Sequence, residues 1–154
     1  MPDYTITVET GTGSDEIIVA GLVAFNTQHA GAANRREFSI LLRDGDGVIA
    51  GGLSAATPWN WLFIKLLWVS DAARGQGWGR ALMARAEQEA VAYGCTNAYL
   101  DTFSFQARGF YERLGYEVFG QLDDFPPGHT RYFLQKRGLT AQGEGTNPAP
   151  VVGR

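Results

Sequence analysis

The chain has 154 residues, 45% apolar and 19% charged, and its 13 basic and 16 acidic side chains leave a net charge of −3. That length and composition suit one globular domain able to bury roughly 70% of its unfolded surface, and with no basic stripe nucleic acid is not the expected partner. A single cysteine, Cys95, excludes an internal disulfide and any multi-cysteine metal site, no metal is expected, and no apolar run of roughly 18 residues offers a membrane span; residues Met1 to Thr5 lack the basic and apolar regions of an export signal, so the cytoplasm is the expected location.

Residues 4–9 alternate weakly and read as a first strand. Ser14, Asp15 and Glu16 supply a cap and early acids for a helix over about 15–29, with Ile17, Leu22 and Phe25 among its apolar positions. Gly31 to Asn34 reads as loop. Phe38–Leu42 and Val48–Ala56 are strands joined by Asp44-Gly45-Asp46-Gly47, a strong hairpin signal. Pro58 breaks the chain before a strand over 61–69, which is apolar on both faces except at Lys65 and is therefore expected to be central and covered on both sides. A helix over about 77–93 puts Leu82, Met83, Ala86, Ala90 and Val91 on one face and stops at Gly94. Cys95 follows that stop, where a buried structural role is expected. Ala98–Phe103 is a further strand, a short helix spans about 105–114 before Gly115, and Tyr116–Leu122 and Arg131–Lys136 form the last two strands. The sequence Asp123-Asp124-Phe125-Pro126-Pro127-Gly128 separates them. From Gly138 onward the residues are mostly small or Gly, Thr, Asn and Pro, so 138–154 reads as a disordered tail after a domain over 1–137. There is no internal repeat.

The stretch Arg74-Gly75-Gln76-Gly77-Trp78-Gly79 carries the strongest chemical signal. It joins the apolar strand to the alanine-rich helix. Peptide N–H groups at a helix start lack intrahelical partners, and the helix dipole adds positive potential there. Glycine at 75, 77 and 79 lets a bulky phosphate approach the backbone. A P-loop would need Lys-Ser or Lys-Thr, which the chain does not contain, and the Gly-x-Gly-x-Gly spacing is one residue short of a dinucleotide fingerprint.

This stretch resembles the acetyl-CoA signature of the GNAT superfamily of N-acetyltransferases, Gln/Arg-x-x-Gly-x-Gly/Ala, matched by Arg74, Gly77 and Gly79. A second segment strengthens the likeness. Ala107, Phe110, Tyr111, Gly115 and Tyr116 match the later pattern Ala-x-x-φ-Tyr-x-x-x-Gly-Phe/Tyr, 37 residues on when Arg74 is counted to Tyr111. The resemblance covers roughly residues 4–136. It implies an α+β (mixed α/β) single-domain fold, with a central splayed mixed sheet of six to seven strands flanked by helices. It also implies acetyl-CoA as cosubstrate. The pyrophosphate would lie on Gly75, Gln76, Gly77, Trp78, Gly79 and Arg80, the pantetheine on the strand edge at Leu67 and Val69, and Arg74 would pair with a phosphate. Tyr111 matches the family tyrosine that donates to the departing thiolate as general acid. Ser104 stands where the family often carries Asn, which weakens one side-chain contact to CoA.

The resemblance implies transfer of an acetyl group to an amine but names no acceptor. The leading expectation is a primary amine of a small molecule, a metabolite or an antibiotic, attacking directly in a ternary complex. Acetylation of a protein or peptide N-terminus, a non-catalytic acyl-CoA-binding module, and acetylation of aminoacyl-tRNA are the alternatives. The acidic charge balance counts against the last and Tyr111 against the non-catalytic module. Many relatives place a Glu on the fourth strand as base, where this chain offers only Lys65. Asp101, Asp123, Asp124 and His129 remain as base candidates, with Asp101, Asp124 and His129 carried as substrate-site residues; each, taken singly, reads first as a surface or turn residue. His29, near a helix end, reads as solvated. Phe103, Phe105, Phe110, Trp59 and Trp61 are candidates for lining an acceptor pocket, or for the core. A homodimer is compatible with the resemblance.

Overall fold

The computed structural model describes residues 2–11 and 13–140, in two units that divide between Ala33 and Asn34. The first unit contains α1 (Asp15–Ala30), which opens on Asp15 and Glu16 and closes where Gly31, at φ 77°, donates its N–H to the Thr27 carbonyl at 3.0 Å. Acids in the first turn and a left-handed glycine after the last suit the helix dipole and the unpaired end carbonyls. Ser14 does not cap the helix with its side chain as the sequence suggests; its hydroxyl donates to Glu9 instead, at 3.1 Å. Residues 4–9 form no strand. Their alternation is weak, and a strand exists only where a neighbour pairs with it.

The second unit carries the sheet. Its strands are β1 (Glu37–Arg43), β2 (Ile49–Ala56), β3 (Trp61–Val69), β4 (Asn97–Phe103), β5 (Glu117–Asp123) and β6 (Thr130–Arg137), laid side by side as β1-β2-β3-β4-β6-β5. The β1–β2 turn forms as its sequence dictates: Asp44 accepts the N–H groups of Asp46 and Val48 at 2.9 Å each, and Gly47 takes φ 80°. Every pairing is antiparallel except β3 with β4, whose parallel connection runs through α2 (Trp78–Ala92). A second short helix, α3 (Arg108–Arg113), joins β4 to β5.

Two irregularities shape the middle of the sheet. Between β2 and β3, Ser54 faces Leu66 while Ala55 faces Ile64, so Lys65 is an extra residue. This bulge reverses the phase of β3. Leu62 and Ile64 are buried before it, whereas Leu67 and Val69 pack towards the core after it, leaving Leu66 and Trp68 exposed on the other face. The strand is central, as expected, but not covered along its whole length. The second irregularity is that β3 and β4 pair only at Trp61–Asn97, Leu62–Ala98 and Phe63–Tyr99 and then part, which produces the splay that the resemblance implies.

The core lies between the sheet and α2. Leu82, Met83, Ala86 and Ala90 from the helix meet Leu53, Leu62, Leu100 and Leu134 from the strands. Cys95 is buried here and burial pushes its thiol pKa up, which fits its expected structural role. The packed chain runs past the expected boundary at residue 137. Leu139 belongs to the core cluster and its N–H donates to the Thr96 carbonyl at 2.7 Å. It stands in a terminal stretch rich in small and polar residues; residues 141–154 lie outside those described. Leu139→Ala should therefore cost about 2 kcal/mol, the low end for a buried leucine, and a thermal melt should read it as a drop of several degrees.

Candidate active site

The glycine stretch sits where β3 ends and α2 begins. A short 3₁₀ turn, Asp71–Ala73, links them, and Gly77 is the N-cap of α2 at φ 87°. Gly75 also has positive φ, 74°. A side chain at either position would be strained, and a Cβ there would meet nothing within 4 Å, so the backbone faces open space. The α2 ladder begins with Ala81 N–H to the Gly77 carbonyl at 3.1 Å, so the N–H groups of Trp78, Gly79 and Arg80 have no intrahelical acceptor. Gln76 stiffens the turn by donating to the Ala72 carbonyl at 3.1 Å and lies 3.4 Å from the Trp78 indole nitrogen, which donates to it. The residues thus fit a bulky anion. The geometry is open in front, with several free donors and a positive helix end.

Gly79 makes a different contact. A Cβ there would lie 3.4 Å from the Phe110 ring, so the first helical turn of α2 rests directly on α3. This contact joins the two segments that sequence alone places 37 residues apart. Arg74 is exposed but turns back on its own chain: its Nε donates to the Val69 carbonyl at 3.0 Å and its Nη1 pairs with Asp71 at 2.9 Å. It closes the carbonyl end of β3. Leu67 and Val69 lie beyond the last β3–β4 pair, so their backbone edge on that side is not in the ladder. Gly51 is a supporting residue that sequence reasoning missed. A Cβ at Gly51 would stand 2.7 Å from the Trp68 carbonyl, so only glycine lets β2 lie so close to the end of β3.

Tyr111 is buried in α3, edge-on to both Phe110 and Tyr116. Burial, with a smaller effect of the Asp101 charge, pushes its phenol pKa up to about 12. It is therefore a neutral donor across the physiological range. Tyr116 is also pushed up, by burial and then by the nearby Glu87 carboxylate, yet its buried hydroxyl makes no well-formed hydrogen bond, because Glu87 is held by Lys136 at 2.6 Å.

The remaining candidates separate. Asp101, on β4, accepts from Arg131 Nε at 2.8 Å, and both side chains are largely buried. Asp124 is a turn residue at φ 57° whose carboxylate faces the Gly128 N–H at 3.5 Å. Asp123 binds Gln121 and Thr130. His129 places Nδ1 3.4 Å from Ser104 Oγ and packs edge-on against Phe105. Ser104 in turn accepts the Thr130 N–H at 3.1 Å, so it ties the post-β4 turn to the β5–β6 hairpin. Lys65 pairs with Glu37 at 3.4 Å. Phe103 and Phe105 stack together, Phe110 supports Gly79, Trp61 packs on Tyr99 at the start of β3, and Trp59 lies in the 3₁₀ turn Pro58–Asn60 before it, so the five aromatic candidates do not form one pocket. Arg131 and Phe125, both missed from sequence, join the Phe103 cluster. His29 packs against Phe25 within α1.

A splayed mixed sheet, a glycine-lined helix start at the splay and a buried tyrosine beside it define a CoA-type acyltransferase fold. Residues 15–116 match the profile of the Acetyltransferase (GNAT) family. The chain is 40% identical over 116 residues to an acetyltransferase of Agrobacterium fabrum, covering 75% of this chain and 85% of that one. It is 46% identical over 91 residues to the blasticidin-S acetyltransferase of Streptomyces morookaense, covering 58% and 67%. The crystal structure of an acetyltransferase from Bacillus cereus superposes with a TM-score of 0.78 at 32% identity, covering 86% of this chain and 97% of that one. The chain belongs to the GNAT acetyltransferase family. No helix among the described residues is long and apolar enough to cross a membrane.

The raised tyrosine pKa has a consequence for stability. Below pH 10 the phenol is neutral folded or unfolded, and the folded state keeps its full advantage. Between pH 10 and about 12 the unfolded phenol ionises first, so stability falls as pH rises. Urea midpoints measured from pH 9 to 11.5 should decline less steeply for Tyr111→Phe than for the wild type. At pH 12 the difference attributable to Tyr111 approaches roughly 2–3 kcal/mol.

Proposed function

We propose that this chain transfers the acetyl group of acetyl-CoA to a primary amine of a small molecule by direct attack in a ternary complex. The observation that carries the reading is the Gly79–Phe110 contact, which sets an anion cradle and a buried phenol on one side of the splay. When bound, acetyl-CoA would supply a thioester to an amine nitrogen: the amide carbon–nitrogen bond forms, the carbon–sulfur bond breaks with CoA leaving as thiolate, and the nitrogen's surplus proton passes to water. The peptide N–H groups from Gly75 to Arg80 hold the pyrophosphate, each charge-assisted bond contributing about 1.5–3 kcal/mol. The free edge at Leu67 and Val69 pairs with the pantetheine amides in the manner of an added strand. Arg74 holds the Val69 carbonyl and has its second nitrogen on Asp71, so it reaches a phosphate only by exchanging that partner.

Tyr111 acts on the leaving sulfur. With a phenol near 12 and a thiol about 8.5, complete proton transfer would run uphill by roughly 5 kcal/mol. Tyr111 therefore stabilises the thiolate by hydrogen bonding, and the proton that finally reaches sulfur comes from solvent. The amine must arrive neutral. Deprotonating a lysine-like amine at pH 7 costs about 4.6 kcal/mol, an amine of pKa near 8 only about 1.4. No carboxylate stands on β3, and Asp101, Asp123 and Asp124 are engaged in an ion pair or in hydrogen bonds. These features favour an amine of modest basicity, deprotonated through water. The likeness to a blasticidin-S acetyltransferase favours a small-molecule acceptor over a protein N-terminus.

Calorimetry should give a saturable acetyl-CoA site that Gly77→Asp weakens at least tenfold, because the substitution strains a φ of 87° and sets a carboxylate against the pyrophosphate. Unchanged affinity in a folded variant would remove the cradle from the assignment. Once an acceptor has been found by screening amines for CoA release, Tyr111→Phe should lower kcat roughly 10²-fold, with acetyl-CoA affinity nearly unchanged. Full activity would return Tyr111 to the core.

A further inference from the structure

We infer that the exposed aromatic stack at the carboxyl end of β4 is a platform for a flat, π-bearing ring on the acceptor amine, and that the Asp101–Arg131 pair positions this platform. The inference rests on the transferase reading above and narrows its substrate class.

Three rings from three segments lie nearly parallel. Phe103, the last residue of β4, stacks on Phe105 from the following turn at 5.3 Å and 3°, and on Phe125 from the β5–β6 loop at 5.9 Å and 8°. Phe105 is 55% exposed and Phe125 43%. Two large apolar rings held parallel in solvent lose the benefit of burial, and such surfaces mark contact sites.

The stack is held from beneath. The Arg131 guanidinium lies 5.0 Å from the Phe125 centroid and 5.7 Å from that of Phe103. The β4–β6 register sets Phe103 opposite Arg131 and Asp101 opposite Phe133, so Asp101 and Arg131 are diagonal neighbours and meet at 2.8 Å. Neutralised by Asp101, the guanidinium can lie against apolar rings without an unpaired charge. His129 braces Phe105 edge-on at 4.9 Å, and Ser104 binds the backbone of Thr130, fixing the Phe105 turn to the hairpin that carries Phe125. A platform fixed this way loses little entropy when a ligand lies on it.

Its place in the fold links it to the chemistry. Phe103 ends β4, and the turn that holds Phe105 runs directly into α3, the helix that carries Tyr111. Asp101, two residues before Phe103 on β4, anchors Arg131. The platform thus stands where the chain enters the helix of the proposed reacting centre. Asp123 and Asp124, in the same hairpin, add negative potential that draws an ammonium-bearing molecule towards the rings. The occupant that suits all three features is an amine on an aromatic or heteroaromatic ring, not an aliphatic polyamine or a saturated sugar.

The test compares 2-phenylethylamine with 2-cyclohexylethylamine, amines of similar size and basicity that differ in the flat π face. Calorimetric titrations are run on the full chain with and without CoA. The aromatic amine should bind roughly five- to tenfold more tightly, and the Phe105→Leu/Phe125→Leu variant should abolish that preference while keeping the wild-type CoA affinity. Asp101→Asn should raise KM for 2-phenylethylamine and weaken its calorimetric binding, with the position of the pH limb unchanged, the pattern of a positioning residue. Equal affinities, absence of binding by both amines, or a preference that survives in the double leucine variant would overturn the platform, as would a pH limb lost in Asp101→Asn, which would make Asp101 the base. Failure of the wild type to bind CoA would instead overturn the transferase reading, whatever the amines do.

Discussion

The parting of β3 and β4 after Phe63 is the constraint on which the site depends. Parallel strands joined by a helix ordinarily pair along their length, and leaving the pairing early exposes peptide groups that must find partners elsewhere. Here the unpaired half of β3 includes Leu67 and Val69, whose side chains still reach the core. That is possible because the Lys65 bulge reverses the strand's phase at the same place. The bulge and the parting together keep β3 anchored through its side chains while one backbone edge is free. Arg74 satisfies the last carbonyl of that edge from within the chain.

Around this opening the groups are held by specific contacts. The α2 start is held by a left-handed N-cap glycine and by the side chain of Gln76, and it rests on Phe110 through Gly79. Tyr111 follows Phe110 in α3, so the packing that positions the helix start also positions the phenol. Burial raises the phenol's pKa and makes it a poor source of a whole proton but a dependable hydrogen-bond donor. That raised pKa comes from packing in the fold, which a tyrosine in a motif does not reveal.

Acidic groups near the opening are mostly engaged. Asp101 neutralises Arg131, Asp123 binds two side chains, and Asp124 takes a left-handed turn position. These three carboxylates thus serve the architecture of β4 and the β5–β6 hairpin.

Local physics made much of this legible in the sequence. The Asp-Gly hairpin, the apolar face of α2, the glycine after each helix and the phosphate-suited turn are decided by residues close in the chain, through φ preference, periodicity and unpaired helix N–H groups. Those features were readable because their causes span only a few residues. The weak alternation at 4–9 was misleading for the complementary reason, since a strand needs a partner that the segment itself cannot supply. Leu139 was hidden in a stretch of small and polar residues because one buried side chain leaves no periodic trace. Only the tertiary structure brought Asp101 to Arg131, thirty residues apart, set Phe103, Phe105 and Phe125 parallel, and placed Phe110 under Gly79. Such pairings depend on sheet register and strand order, and a bulge of one residue is enough to send a side chain to the opposite face.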